Sequence, residues 1–344
     1  MTTWVFDGTV LPVDEEVRIA FGDGEEQLLP GRFGLPGLVD SHCHLTVGSD
    51  AQGPLLFGED FARTRLDALA QAGVSAVRDV GGDRSVTLKL AIAPEDGRPV
   101  VQAAGRFLAP EGRYFPRMHE PVPPEELLAA VAAELDDNAT WLKLVGDFPA
   151  VGPDGPIRGS AIEASYEVEL VEAMVEAAHA RGARVAAHTN SAVVGDLVRA
   201  GVDSIEHGTV ITEEDLQALG ARGGAWTPTL GASVLGRPGE PQDVVDRRRA
   251  RSEYLASMLP LAIQYGVRVL AGSDVVGSVA GEVDLLVKHG LTADQALAAA
   301  TTSAQDYLGL AGTGNLVTYE ADPREHPEVL ATPSAVVLRG LRIR

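Results

Sequence analysis

The sequence predicts an α/β protein: a (β/α)8 TIM barrel joined to a small β-domain formed from both chain ends. Three observations carry this. Short β-branched runs alternate with longer Ala/Leu/Glu stretches of helical period, and eight such strand–helix units follow one another. Residues 1–35 and 312–344 break the alternation and read as short strands rich in Val, Leu, Thr and Gly. No Gly-rich phosphate turn of the kind an open doubly wound sheet uses follows an early strand, since Gly81-Gly82 alone does not make one.

Taken in order, the predicted strands are Gly37–Ser41, Val74–Asp79, Val100–Ala104, Thr140–Val145, Arg184–His188, Ser204–His207, Ala225–Thr229 and Arg268–Ser273. The helices between and after them fall near Asp60–Gln71, Ser85–Ile92, Pro124–Leu135, Tyr166–Arg181, Val193–Ala200, Glu213–Ala221, Asp243–Tyr265 and Gly281–His289, with a ninth over Ala293–Leu308. Gly182, after Ala180-Arg181, suits a left-handed helix terminus. The barrel is thus expected over residues 36–311, with 1–35 and 312–344 as the two parts of the small domain.

Composition excludes several classes of function. A formal net charge of −21 repels nucleic acid and anionic membranes, whose binding needs clustered Lys and Arg. No apolar run approaches the ~20 residues that span a bilayer, and the start MTTWVFDGTV lacks a secretory pattern, so a cytoplasmic location is expected. The single Cys43 allows no intrachain disulfide and fits a reducing compartment. Of 28 basic residues only Lys89, Lys143 and Lys288 are lysines.

Catalytic groups in such a barrel project from the C-terminal ends of the strands. The first strand ends Asp40-Ser41-His42-Cys43-His44, and two histidines two apart on extended chain face one way, so they can share a metal while Cys43 faces away. The fifth ends in His188, the sixth in Glu206-His207 and the eighth in Ser273-Asp274. In Trp141-Leu142-Lys143-Leu144-Val145 alternation turns the leucines outward and Lys143 towards the barrel axis, where burial lowers the amine pKa. A neutral amine can take up carbon dioxide as a carbamate, an anionic oxygen ligand. Glu206, next to His207, is expected to face the opposite way and to serve structure. Cys43 is expected to be a small core residue, and His179, His289 and His326 to lie at the surface.

The run Pro36-Gly37-Leu38-Val39-Asp40-Ser41-His42-Cys43-His44-Leu45 resembles the first-strand signature of the amidohydrolase superfamily. Gly73–Asp79, Gly201–Gly208 and Ala271–Asp274 resemble its second, sixth and eighth strands, so the likeness spans almost the whole chain. The closest resemblance is to the imidazolonepropionase-like and metal-dependent prolidase (dipeptidase) branch. It implies a hydrolase of amide, dipeptide or cyclic-amide C–N bonds with two divalent metals, zinc by expectation. His42, His44 and Asp274 would hold one, His188 and His207 the other, and a carboxylated Lys143 both. A metal-bridging hydroxide would attack, with Asp274 as the catalytic proton carrier. Deaminases of the superfamily carry a glutamate three residues after the strand 5 histidine, where this chain has Ser191.

The loop Gly105–Val122 holds Arg106, Arg113, Tyr114, Arg117 and His119, and an arginine there could grip a substrate carboxylate. His119, Tyr114, Arg113 and Thr229 are the substrate-contact candidates. The sequence leaves open a one-metal cyclic amidohydrolase or deaminase, an esterase or lactonase using the same site, and a non-catalytic binding barrel. The expected partner is a small-molecule substrate, and homo-oligomerisation is left open.

Overall fold

A computed structural model describes residues 2–153, 155–236, 238–310 and 314–344. The expected domain boundary at 311/312 lies outside the described residues.

The central strands are β1 (Leu38–Cys43), β2 (Val74–Asp79), β3 (Val100–Ala103), β4 (Trp141–Val145), β5 (Arg184–Thr189), β6 (Ser204–His207), β7 (Ala225–Thr227) and β8 (Arg268–Val269). β1 pairs with β2 and β2 with β3, all parallel. The chain then turns at Gly105, and a second short strand, Phe107–Leu108, pairs with β4. Parallel pairing continues from β4 through β5, β6 and β7 to β8. Past β8 the ladder gives way to single bonds back to β1: Ser41 N donates to Ala271 O (2.9 Å) and Asp274 N to His42 O (2.7 Å). With helices between successive strands, this is a TIM-barrel-like α/β arrangement.

Several strands are shorter than expected: Ala225–Thr229 ends at Thr227, Thr140–Val145 begins at Trp141, and two others are cut by close contacts. Val100–Ala104 stops where Gly105 takes φ +72, with its would-be Cβ 1.9 Å from Glu134 Oε2. The eighth keeps only Arg268–Val269 as ladder. Its continuation passes so close to β1 that a Cβ on Gly272 would sit 2.5 Å from His42 Cβ. The expected helix Ala293–Leu308 is two, Ala293–Ala299 and Thr302–Leu308, because the Thr301 hydroxyl bonds back to Leu297 O (2.6 Å) and its backbone leaves the helical region.

Alternation sorts the strand side chains. Leu142, Leu144, Val185, Ala187 and Ile205 pack outward in one large apolar cluster, each such burial stabilising by roughly 1.5–3 kcal/mol for the larger side chains. Inside, Val39, Ala76, Trp141, Ala186, Ala225 and Leu270 form a second cluster of mostly small residues. A separate seven-stranded sheet draws on both chain ends, from Thr2–Val10 to Leu341–Arg342, and Phe33–Leu35 pairs with Leu316–Tyr319 at its middle. Among the described residues no helix is long and apolar enough to cross a membrane.

Gly272→Ala forces β8 away from His42. The expected outcome is a loss of about 1–3 kcal/mol in urea unfolding, the scale of overpacking a core, and a midpoint unchanged from the parent would contradict this account of the β8–β1 approach.

Candidate metal centre and active site

The strand ends bring four imidazoles, one carboxylate and one ammonium together. His42 and His44 lie with ring centroids 5.2 Å apart, His42 and His207 5.0 Å, and His188 and His207 4.5 Å. One ligand atom from each of His42, His44 and Asp274 falls within 4.8 Å of the others. Lys143, His44, His188, His207 and Asp274 share the floor of one cleft of about 480 Å³.

Three of the four rings are aimed by their Nδ1 nitrogen, while His188 Nε2 meets Asn190 Nδ2 at 3.2 Å. His42 Nδ1 meets Glu206 Oε2 at 2.6 Å, His44 Nδ1 meets Gly81 O at 2.7 Å, and His207 Nδ1 meets Thr229 Oγ1 at 2.5 Å. With Nδ1 held in this way, His42 Nε2 is left buried without a partner among the described residues, as is Lys143 Nζ. Buried polar atoms are nearly always satisfied, so an orphan on the cleft floor and a second beside His44 and Asp274 mark a place built to receive something. Nitrogen and carboxylate donors in this arrangement fit a divalent cation.

Burial sets the charge states. It drives the pKa values of His44 and His188 down to about 3, the Lys143 cation adding to the effect, and depresses His42 and His207 strongly as well. All four rings are therefore neutral, donor-competent imidazoles at neutral pH. Burial also lowers Lys143 to about 8, against the partial support of Glu206 and Asp274, and raises Asp274 above the usual carboxylate range.

Glu206 corrects the sequence reading: it faces into the barrel. Its carboxylate binds His42, Arg78 Nη2 (2.7 Å) and the Ser204 hydroxyl (2.6 Å). Ile205 packs outward, which puts Ser204 and Glu206 inside, and His207 reaches the cleft only because its backbone turns left-handed at φ 65. The alternation expected through His207 therefore ends one residue early. Counting from the apolar Ile205 would have placed Glu206 correctly.

Arg78 went unrecognised in the sequence. Fully buried on the Ala76 face of β2, it donates to Ser41 O (2.6 Å) and stands 4.4 Å over the Trp141 ring. Three carboxylates were missed as well. Asp79 accepts from Leu45 N (2.6 Å) and Gly81 N (3.0 Å), and Asp40 from Ser273 N (2.9 Å). Asp147 accepts from Asn190 N (2.9 Å) and the Ser191 hydroxyl (2.8 Å), fixing the turn beyond His188.

Of the four substrate-contact candidates, Tyr114 lines the cleft. Arg113 instead reaches Phe148 O (3.2 Å) and the Glu163 carboxylate, the partners its long arm meets on the neighbouring hairpin. The Thr229 hydroxyl is taken by His207. His119 packs edge-on behind Tyr114 (5.7 Å) with Nδ1 on Phe115 O (3.0 Å). Elsewhere, Cys43 packs in the outer apolar cluster, and His179 is 45% exposed while pairing with Asp203. His326 is also exposed. His289, expected at the surface, is buried, held by Ser252 Oγ (2.9 Å) and Leu285 O (2.7 Å).

Known proteins fit this geometry. The family model described as the amidohydrolase family matches residues 33–322. An uncharacterised protein of Mycobacterium tuberculosis is 32% identical over 98% of this chain and 90% of its own length. The imidazolonepropionase of Micrococcus luteus is 26% identical over 98% of this chain and 92% of its own. Among solved structures, an Xaa-Pro dipeptidase with bound methionine superimposes with a TM-score of 0.80 at 22% identity, covering 99% of each chain. The fold and site define a hydrolase acting on carbon–nitrogen bonds. The chain belongs to the amidohydrolase family.

The lowered Lys143 pKa carries a stability sign. Below about pH 8 the metal-free fold holds a buried cation at full cost, and between pH 8 and the ordinary value of 10.5 that cost fades as the folded form sheds the proton. Metal-free Lys143→Met is therefore expected to exceed the parent in stability by about 3 kcal/mol at pH 7, the gap narrowing through pH 8–10.5 in urea titrations.

Proposed function

We propose that the chain is a metal-dependent hydrolase that cleaves the C–N bond of a small-molecule amide in the cleft above β1, β4, β5, β6 and β8. The observation that carries the reading is the convergence of three neutral imidazoles, Asp274 and Lys143, partnerless among the described residues, on one cleft floor, with His42 grouped beside His44 and Asp274. On this reading residues 36–311 are a catalytic (β/α)8 barrel, 1–35 and 312–344 a supporting β-domain, and the compartment is the reducing cytoplasm.

His42, His44 and Asp274 would hold one cation and His188 and His207 a second, with Lys143 common to both. Zinc suits a donor set of imidazole and carboxylate. When bound, such a centre supplies a water acidified towards neutral pKa and a Lewis acid for the carbonyl.

The chain's own groups do the rest. With a pKa near 8, about one Lys143 in ten is a neutral amine at pH 7. Its lone pair adds to carbon dioxide, one N–H proton leaves, and the resulting carbamate removes the cost of a buried cation. Asp274 stands at the cleft floor with Oδ1 3.6 Å from His44 Nε2, and its raised pKa suits it to accept the water's proton and deliver it to the leaving nitrogen. The Tyr114 hydroxyl has no partner among the described residues, and burial holds its pKa above the phenol range, so it stays a neutral donor for the amide oxygen. At the deaminase position Ser191 is committed to Asp147, which favours amide hydrolysis over deamination.

Protein grown with ample zinc and bicarbonate is expected to carry about two metal equivalents per chain by elemental analysis, falling to about one or fewer in Lys143→Ala; one equivalent in both would remove Lys143 from the centre. Asp274→Asn is expected to lower kcat by roughly 100- to 10,000-fold, and turnover equal to the parent's would sink its role as proton carrier.

A further inference from the structure

The cleft walls differ sharply from its floor. Above the polar floor stand Val47, Tyr114, Phe115, Met118, Phe148 and Val276. Among the described residues, histidines aside, the only ionisable lining groups besides Tyr114 are Lys143 and Asp274, both part of the floor. Tyr114 packs on Phe107 (4.8 Å), Phe148 (5.0 Å) and Phe115 (5.3 Å), making a continuous aromatic wall that leads down to His188.

The three loop arginines that could receive a substrate carboxylate are each paired with a carboxylate, and Arg65, bonded only to carbonyls, does not line this cleft. Arg117 grips both oxygens of Asp50 (2.7 Å each), Arg113 is on Glu163 and Phe148 O, and Arg106 is on Glu134 (2.5 Å). Arg65 is held by the carbonyls of His44 and Val47. A carboxylate entering the cleft would lose its water and meet no arginine among the described lining residues, while the net charge of −21 opposes its approach. An ammonium would find only Asp274, which the reaction needs.

Resting on the hydrolase reading above, we propose that the substrate is an uncharged amide with an aromatic or bulky apolar substituent, and that zwitterionic dipeptides and N-acyl amino acids are poor ligands of this cleft. The volume of about 480 Å³ accepts a molecule of one aromatic ring plus the amide. Water adds its hydroxyl to the carbonyl carbon, the C–N bond breaks, and the second proton leaves with the amine, giving a free carboxylic acid and an apolar amine. The nascent carboxylate has no cationic clamp on the wall, which favours its departure.

The test uses the zinc-loaded chain and two molecules that differ by one group: N-benzylacetamide, and N-acetylphenylglycine, which adds a carboxylate at the benzylic carbon. Binding is read by titration calorimetry and turnover by chromatography. Binding of the neutral amide at least tenfold tighter supports the inference, and equal or tighter binding of the carboxylate overturns it, as does failure of both to bind. Tighter binding of the neutral amide without hydrolysis of any amide in a wider panel supports the apolar cleft and sinks the hydrolase reading instead. In Val276→Arg, on the exposed rim, the preference should shift towards N-acetylphenylglycine by at least tenfold, and an unmoved ratio would count against the missing cation as its cause.

Discussion

The Glu206 carboxylate, sealed inside the ring of strands, is the group on which the arrangement turns. One oxygen fixes His42; the other binds Arg78 and Ser204. Arg78 in turn ties Ser41 O on β1 and the Thr227 hydroxyl on β7, and covers Trp141 on β4. One buried charge pair therefore links β1, β2, β4, β6 and β7. Such a pair adds little net stability over an apolar replacement, but removing one member strands the other in low dielectric at a cost of about 3–5 kcal/mol. Its value lies in geometry: with Nδ1 held, the free edge of His42 can point only to the cleft.

A second constraint is backbone strain at the strand ends. His207, Thr229 and Asp274 all take positive φ (65, 44 and 54). Left-handed geometry is uncommon for non-glycine residues, most of all for the β-branched Thr229, and persists where surrounding bonds over-determine it. Here they do. Asp274 N is held by His42 O, and Thr229 is held from one side by His207 and from the other by the turn that Glu282 caps through Leu230 N (2.6 Å) and Gly231 N (3.0 Å). Each unusual residue swings a polar group over the end of its strand, where regular alternation would have sent it outward or left it short.

What could be read from the sequence follows from this division. The strand positions, the inward course of Lys143 and the pairing of His42 with His44 depend on local period, which composition displays directly. Period also turns Glu206 inward once it is counted from Ile205, but the partners that give Glu206 and Arg78 their roles lie 164 and 128 residues away and no local pattern shows them. The loop arginines were visible as residues, but their roles were not: Asp50, Glu134 and Glu163 claim them from elements distant in the chain. His289 vanished from the surface for the same reason, since Ser252 on a neighbouring helix covers it. The left-handed residues carry no glycine to announce them, so the point at which alternation stops is a tertiary property.

Stability and chemistry draw on the same burial. Taking four imidazoles and an amine out of water weakens the metal-free fold wherever the unfolded groups would be protonated, below about pH 6.5 for the imidazoles and below about 10.5 for Lys143. The same loss of proton affinity is what keeps the rings free of protons across the working pH range, so a cation need not compete for them. The apolar wall completes the effect: with water displaced by Phe148, Phe115 and Val47, the charges on the floor act through a low dielectric, and a neutral guest brings none of its own to be desolvated. A polar substrate would undo this, carrying water to the floor or surrendering it at a cost. The wall and the floor are thus parts of one device, in which the selectivity of the upper half maintains the electrostatics of the lower.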